Sequence, residues 1–273
     1  MPGRDDRDDS AAATPGGNAT HTDVQRDPAP RIVARHMATF VLIHGAWHGA
    51  WCWHKVKPLL EAGGARVIAP DLPSMGADTT PPGVVTLDYW ARFIMELTAQ
   101  AAEPVTLVAH SRGGVIASRV AEIVPDRVAR LIYVAAYLLP ARGTVAAAAR
   151  RDTGSLIAAN MIPAASGVTC TVRREALRDL FYNNCGDADF EFARDRLSPE
   201  PLKPLVTALD VSPERFGRVP RAYIETSLDR VISPAAQKRM VATLPCDPVL
   251  TLETDHSPFL SQPESLARML ISI

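Results

Sequence analysis

From Ala38 onward the sequence predicts an α/β architecture, a mostly parallel sheet flanked by helices. Two patterns predict it. Short β-branched runs alternate with stretches of helical spacing, as parallel strands joined by crossover helices require. The runs are also near-continuously apolar rather than alternating, as strands buried on both faces must be. A chain of 273 residues, 47 % of them hydrophobic, is long enough to bury one sizeable core.

Taken in order, the predicted strands are Thr39–Ile43, Arg66–Ala69, Val105–Val108, Leu131–Val134, Ala222–Glu225 and Val249–Leu252. Between them, Trp53–Ala62, Leu87–Ala101 and Gly113–Val124 carry apolar residues at helical spacing, for example Val115, Ile116, Val120 and Ile123. Pro125 ends the last of these helices. The alternation breaks between about residues 140 and 219, where the pattern turns helical, irregular and proline-rich. An insertion there reads as a helical cap over the carboxyl edge of the sheet, where open α/β sheets place their sites. The organisation expected is therefore an α/β domain over residues 37–273 with a cap at about 140–219.

Residues 1–36 are rich in Asp, Arg, Gly, Pro and Ala and nearly lack large apolar side chains, so they are expected to be disordered. They contain no apolar h-region of a secretory signal, and Asn18-Ala19-Thr20 is a glycosylation sequon that matters only in a secreted protein. Met37, just before the first strand, would suit a natural start. A net charge of −1 supplies no field for nucleic acid or an anionic membrane, and no apolar run reaches the 18 residues a membrane span needs. The four scattered cysteines, Cys52, Cys170, Cys185 and Cys246, have no zinc-site spacing and read as reduced, mostly buried thiols. These features argue against a nucleic-acid, membrane or metal partner and suit a cytoplasmic protein.

The segment carrying chemistry is Val105-Thr-Leu-Val-Ala-His-Ser-Arg-Gly-Gly114. An apolar strand runs into Ser111, then two glycines, then an amphipathic helix. This is the strand-turn-helix of a nucleophile elbow, G-x-S-x-G, with Ala109 in place of the first glycine. A nucleophilic serine needs a base, and the base an orienter. In elbow folds these follow as acid and then histidine. Asp229 and His256 each fall in a loop just past a predicted strand, on the same sheet edge as Ser111. Asp210, before the penultimate strand, is a substitute acid, while Asp255 is adjacent to His256 and poorly placed to hold its ring. An oxyanion hole needs two N–H donors: Arg112, directly after the serine, and Ala46, in the loop His44-Gly45-Ala46-Trp47, supply them.

With these pieces located, the chain resembles the plant-type methylesterase and hydroxynitrile lyase family of α/β-hydrolases, which also has bacterial esterase and pyrethroid-hydrolase-like members. The resemblance runs over residues 38–273 through FVLIHGAWHGAWCWHKVKPLLEAGGARVIAPDL, LVAHSRGG, LFYNNCGDADFEFARDRLSPEPL, RFGRVPRAYIETSLDRVISP and TDHSPFLSQPE. It implies an α/β-hydrolase fold with a helical cap, a triad of Ser111, Asp229 and His256, oxyanion donors at Ala46 and Arg112, no cofactor, and frequently a homodimer. The lyases of this family carry Thr where this chain has Gly45 and Lys where it has Ser257, so the resemblance implies an esterase acting on a small-molecule ester. A lyase or cyclase without cofactor, and a slow ligand-binding member, share the fold and stay open at this point. Trp47, Leu139, Phe181 and Tyr182, with Met161 and Phe190, are the candidate pocket lining, although at helical spacing such residues also suit a core.

Overall fold

The structure, a computed structural model, describes residues 38–273, and the arm 1–36 read as disordered lies outside the described residues. In chain order the first half holds β1 (Thr39–Ile43), α1 (Val56–Ala62), β2 (Arg66–Ile68), α2 (Leu87–Ala99), β3 (Val105–His110), α3 (Gly113–Ile123) and β4 (Val128–Val134). The insertion follows, with α4 (Val145–Arg151), α5 (Ile157–Asn160), β5 (Met161–Pro163), β6 (Thr169–Val172), α6 (Leu177–Phe181), α7 (Asp187–Arg194), β7 (Glu200–Pro201) and α8 (Leu202–Val206). The chain then returns to the sheet with β8 (Arg221–Thr226), α9 (Pro234–Thr243), β9 (Val249–Leu252), α10 (Pro258–Ser261) and α11 (Pro263–Ser272).

Six parallel strands form one sheet in the order β2-β1-β3-β4-β8-β9. The central strands are sealed on both faces, with Val41, Leu42, Leu107, Val108, Leu131 and Ile224 at zero exposure. That explains the unbroken apolar runs. Helix α2 starts where Thr86 accepts the Tyr89 N–H at 3.0 Å, a side-chain cap of an orphan helix donor. Its inward face carries Leu87, Trp90, Ala91 and Ile94.

Two details depart from the sequence reading. Strand β3 runs on to His110, a polar residue that ends an apolar run on paper but is fully buried here. The insertion, expected to be helical, also contains a three-stranded antiparallel sheet in the order β5-β6-β7. Pro163 and Pro201 hide those strands from sequence reading, since proline is tolerated only on edge strands such as β5 and β7. Among the described residues no helix is long and apolar enough to cross a membrane, and no cluster of three or more His, Cys, Asp or Glu could hold a metal. All four cysteines are free, Cys52 and Cys170 buried and the other two half-buried.

Candidate active site

Strand β3 delivers Ser111 to the carboxyl edge in a left-handed conformation, φ +52°, before α3 begins. A non-glycine residue in that region stores roughly 1–3 kcal/mol of strain and persists only where its surroundings hold it. Here Ser111 N–H donates to Val134 O at 3.3 Å and Ser111 O accepts from Tyr137 N–H at 3.0 Å. Positions 113 and 114 must be glycine for lack of room. A Cβ on Gly113 would stand 2.9 Å from Ile43 O, and one on Gly114 would press into Tyr137 O. The sharp turn and the close helix approach are therefore one feature, written as Ser-Arg-Gly-Gly.

The neighbouring loop, His44 to Trp47, is held through its carbonyls and side chains. Gly45 O accepts from the Arg112 guanidinium at 3.0 Å and from His44 Nδ1 at 2.9 Å; the His44 ring accepts the Leu72 N–H on its other nitrogen. Ala46 O accepts from His48 Nδ1 at 2.7 Å, while His48 Nε2 takes the Tyr182 hydroxyl at 2.9 Å. Trp47 N–H donates to Glu200 at 3.0 Å. Among the described residues, the backbone N–H groups of Ala46 and Arg112 find no protein acceptor. Both residues line one cavity with Ser111.

Beyond the ends of β8 and β9, Asp229 and His256 meet at 2.7 Å, Asp229 Oδ2 to His256 Nδ1. Four further donors hold that carboxylate: Thr226 Oγ1 and Gln237 Nε2 on one oxygen, and the Val231 and Ile232 N–H groups on the other. The His256 carbonyl is pinned by His110 Nε2 at 2.8 Å, and the two imidazoles lie 4.6 Å apart. His256 is thus tied to the residue that precedes Ser111. The two other acids considered from sequence stand elsewhere. Asp210 is exposed and pairs with Arg119, and Asp255 spends its carboxylate on Asn184 N–H, Ser257 N–H and Ser261 Oγ.

Four histidines crowd this edge, and three are held neutral. Burial, with lesser repulsion from nearby cationic groups, lowers the affinity of His44, His48 and His110 for protons, to about 3 in the case of His48. The sign of the linkage follows. Below the ordinary histidine value the unfolded chain takes up three protons that the folded chain refuses, so stability falls as pH falls. Between pH 6.5 and pH 5.5 the three sites together remove about 3 kcal/mol, since the unfolded histidines titrate near 6.5. Urea unfolding at the two pH values checks this; an unchanged midpoint would show that the imidazoles are protonated in the folded state.

Ser111 opens into a cavity of about 310 Å³ between the sheet edge and the insertion, lined mainly by apolar side chains, among them Val145, Ile157, Met161 and Leu205, with Ala46, Trp47 and Arg112 beside the serine. Of the predicted lining residues, Trp47 and Met161 lie there. Leu139, Phe181 and Tyr182 do not. Leu139 borders a neighbouring cavity on the far side of Tyr137. Phe181 packs behind the site, 5.6 Å from the Trp47 ring and 6.1 Å from His256, and Tyr182 serves His48. The Phe190 ring lies tilted against Tyr182, 6.0 Å between centroids. Apolar spacing marked the buried face of α6 and α7 but could not say which surface that face meets. The largest omission from the sequence reading is Glu200, at zero exposure and paired with Arg112; nothing near it in sequence distinguishes it from the many surface acids of the insertion.

The alpha/beta hydrolase family pattern matches residues 40–269. The chain is 32 % identical to Methylesterase 7 of Arabidopsis thaliana over 247 residues, covering 86 % of this chain and 95 % of that one. Among solved structures, a pyrethroid hydrolase from Sphingobium faniae superposes with a TM-score of 0.77 at 30 % identity, over 86 % of this chain and 96 % of the other. Polyneuridine aldehyde esterase superposes with 0.76 at 27 % identity, covering 86 % and 98 %. With the all-parallel sheet and the elbow at Ser111, these matches identify the chain as a member of the alpha/beta hydrolase family and of its methylesterase-like branch.

Proposed function

We propose that this protein is a serine carboxylesterase acting on uncharged esters of small to medium size through an acyl-enzyme. The observation that carries the proposal is the hydrogen-bonded Asp229–His256 pair fixed to the base of an elbow that strains Ser111. Asp229 keeps the proton on His256 Nδ1, leaving Nε2 to accept the hydroxyl proton as Ser111 Oγ attacks the ester carbonyl. The Ala46 and Arg112 N–H groups receive the negative charge that forms on the carbonyl oxygen, and α3 begins just behind it with its positive dipole end. Collapse expels the alcohol, protonated by His256; a water activated by the same imidazole then releases the acid.

The apolar lining of the cavity favours ester groups without charge, because burying an unpaired ion there is costly. Gly45 and Ser257 support hydrolysis over cyanohydrin cleavage, since Ser257 is buried at zero exposure and brings no cation to the site. The names of the methylesterase and pyrethroid hydrolase relatives agree with ester cleavage.

A fluorophosphonate probe tests the assignment. Esterase activity on p-nitrophenyl butyrate should fall to background as one label per chain is incorporated, and peptide mass mapping should place that label on Ser111. A label elsewhere, or turnover that survives full labelling, would refute it.

A further inference from the structure

We propose that the buried Arg112–Glu200 pair is a clamp through which the insertion sets the oxyanion hole, and that Glu200 is a positioning residue for ester hydrolysis. The inference rests on the reading of Ala46 and Arg112 as the oxyanion donors.

The contacts converge on two peptide groups. Gly45 O and Ala46 N–H belong to the same planar unit, so whatever grips the oxygen orients the N–H. The Arg112 guanidinium grips that oxygen at 3.0 Å. A charged donor on the carbonyl also polarises the unit and strengthens its N–H as a donor. Arg112 therefore contributes to both halves of the hole, one donor through its backbone and the other through its side chain.

Glu200 holds the guanidinium in place. Its Oε1 lies 2.8 Å from Arg112 Nε and its Oε2 3.3 Å from Nη2, both residues being almost wholly buried. Oε2 also accepts the Trp47 N–H at 3.0 Å, which fixes the next peptide along. The Trp90 ring lies 4.1 Å from the guanidinium carbon.

Glu200 belongs to β7, the Trp47 indole N–H donates to Cys170 O of β6 at 3.1 Å, and Trp47 O accepts from Ser198 N–H at 2.8 Å. All three anchors come from the insertion. They hold Trp47 at φ +60°, a conformation a tryptophan does not take unaided. The hole is thus completed only when the small antiparallel sheet is seated on the loop. Stability alone gives no reason for a charged pair in this place, since a buried ion pair is often no more stable than apolar residues of similar volume.

Three variants, one control variant and one inhibitor test the clamp. Glu200→Gln keeps the shape and an acceptor for Trp47 but removes the charge; kcat should fall about 10-fold with KM little changed, and Glu200→Ala should cost about 100-fold. A trifluoromethyl ketone, which forms a hemiketal oxyanion on the serine, should lose affinity in proportion to kcat/KM. A merely structural role would not link the two. The double variant Arg112→Met/Glu200→Met replaces the pair with apolar volume and should fold while showing the same paired losses, so the clamp stays testable if the single variants fail to fold. Asp195→Asn, which breaks an exposed pair with Arg174 elsewhere in the insertion, should leave kcat unchanged.

Wild-type kcat in the folded double variant, or kcat/KM losses with unchanged ketone affinity, would overturn the clamp and leave the esterase reading intact. Failure of the fluorophosphonate to label Ser111 would overturn both.

Discussion

Ser111→Ala should lower kcat for p-nitrophenyl butyrate by about 10⁴-fold or more at neutral pH, with little change in melting temperature. The size of the loss follows from the division of labour at the elbow. Removing the hydroxyl leaves no atom to form the acyl-enzyme, while the donors at Ala46 and Arg112 and the apolar cavity stay in place. A residue of turnover above water is therefore expected, from binding and oxyanion stabilisation alone. The fold should tolerate the change because the elbow is held through backbone atoms, Ser111 N–H on Val134 O and Ser111 O on Tyr137 N–H. Alanine, like serine, is unbranched at Cβ and meets φ +52° at a similar steric cost. Loss of turnover together with loss of cooperative unfolding would count against this account of how the elbow is held. Undiminished turnover in a folded variant would show that the chemistry does not start at Ser111.

Asp229→Asn should cost about 10⁴-fold in kcat/KM, nearly as much, though the substituted side chain is almost the same shape. Five donors meet this carboxylate, and an amide has one oxygen with which to accept. If that oxygen keeps the Val231 and Ile232 N–H groups, the amide nitrogen faces His256 Nδ1 and asks it to accept. The ring must then carry its proton on Nε2, the nitrogen that has to take the Ser111 proton. The wrong tautomer, rather than a displaced ring, is the predicted defect. Fluorophosphonate labelling of Ser111 should slow in parallel with turnover, because both need the same activated hydroxyl. Fast labelling with slow turnover would place the role of Asp229 in a later step.

The parts of the fold legible in the sequence are those where burial and chain direction repeat a simple rule. Strands β1 and β9 match their predicted bounds, and α2 and α3 differ by two residues or fewer, because buried parallel strands and amphipathic helices leave plain patterns. Ser111, Asp229 and His256 could be nominated because each follows a strand on one sheet edge. That Asp229 and His256 meet is a fact of the tertiary structure, as is the tie between His110 and the His256 carbonyl.

The insertion was less readable. Its strands contain proline, its helices are short, and its apolar faces pack inward behind the cavity as often as along it. Glu200 was invisible for a related reason: a buried acid is defined by the arginine it meets, which lies 88 positions earlier. The Tyr182-Asn183-Asn184-Cys185 run shows the same limit. Tyr182 supports His48, Asn183 donates to Leu228 O, and Asn184 donates to Asp255, so one short segment braces the loops on both sides of the site.

Gly45 carries a last consequence, for how this scaffold could diverge. A Cβ at that position would stand 2.6 Å from His110 Nδ1 and 2.8 Å from the Ser111 Cβ. The threonine that the family's lyases carry there cannot be introduced by itself: the histidine ring would have to retreat, and with it the tie that holds the His256 carbonyl. Position 45 is therefore sterically coupled to both 110 and 111. A lineage or an engineer adding a hydroxyl at 45 has to rearrange the elbow at 110 and 111 together with it.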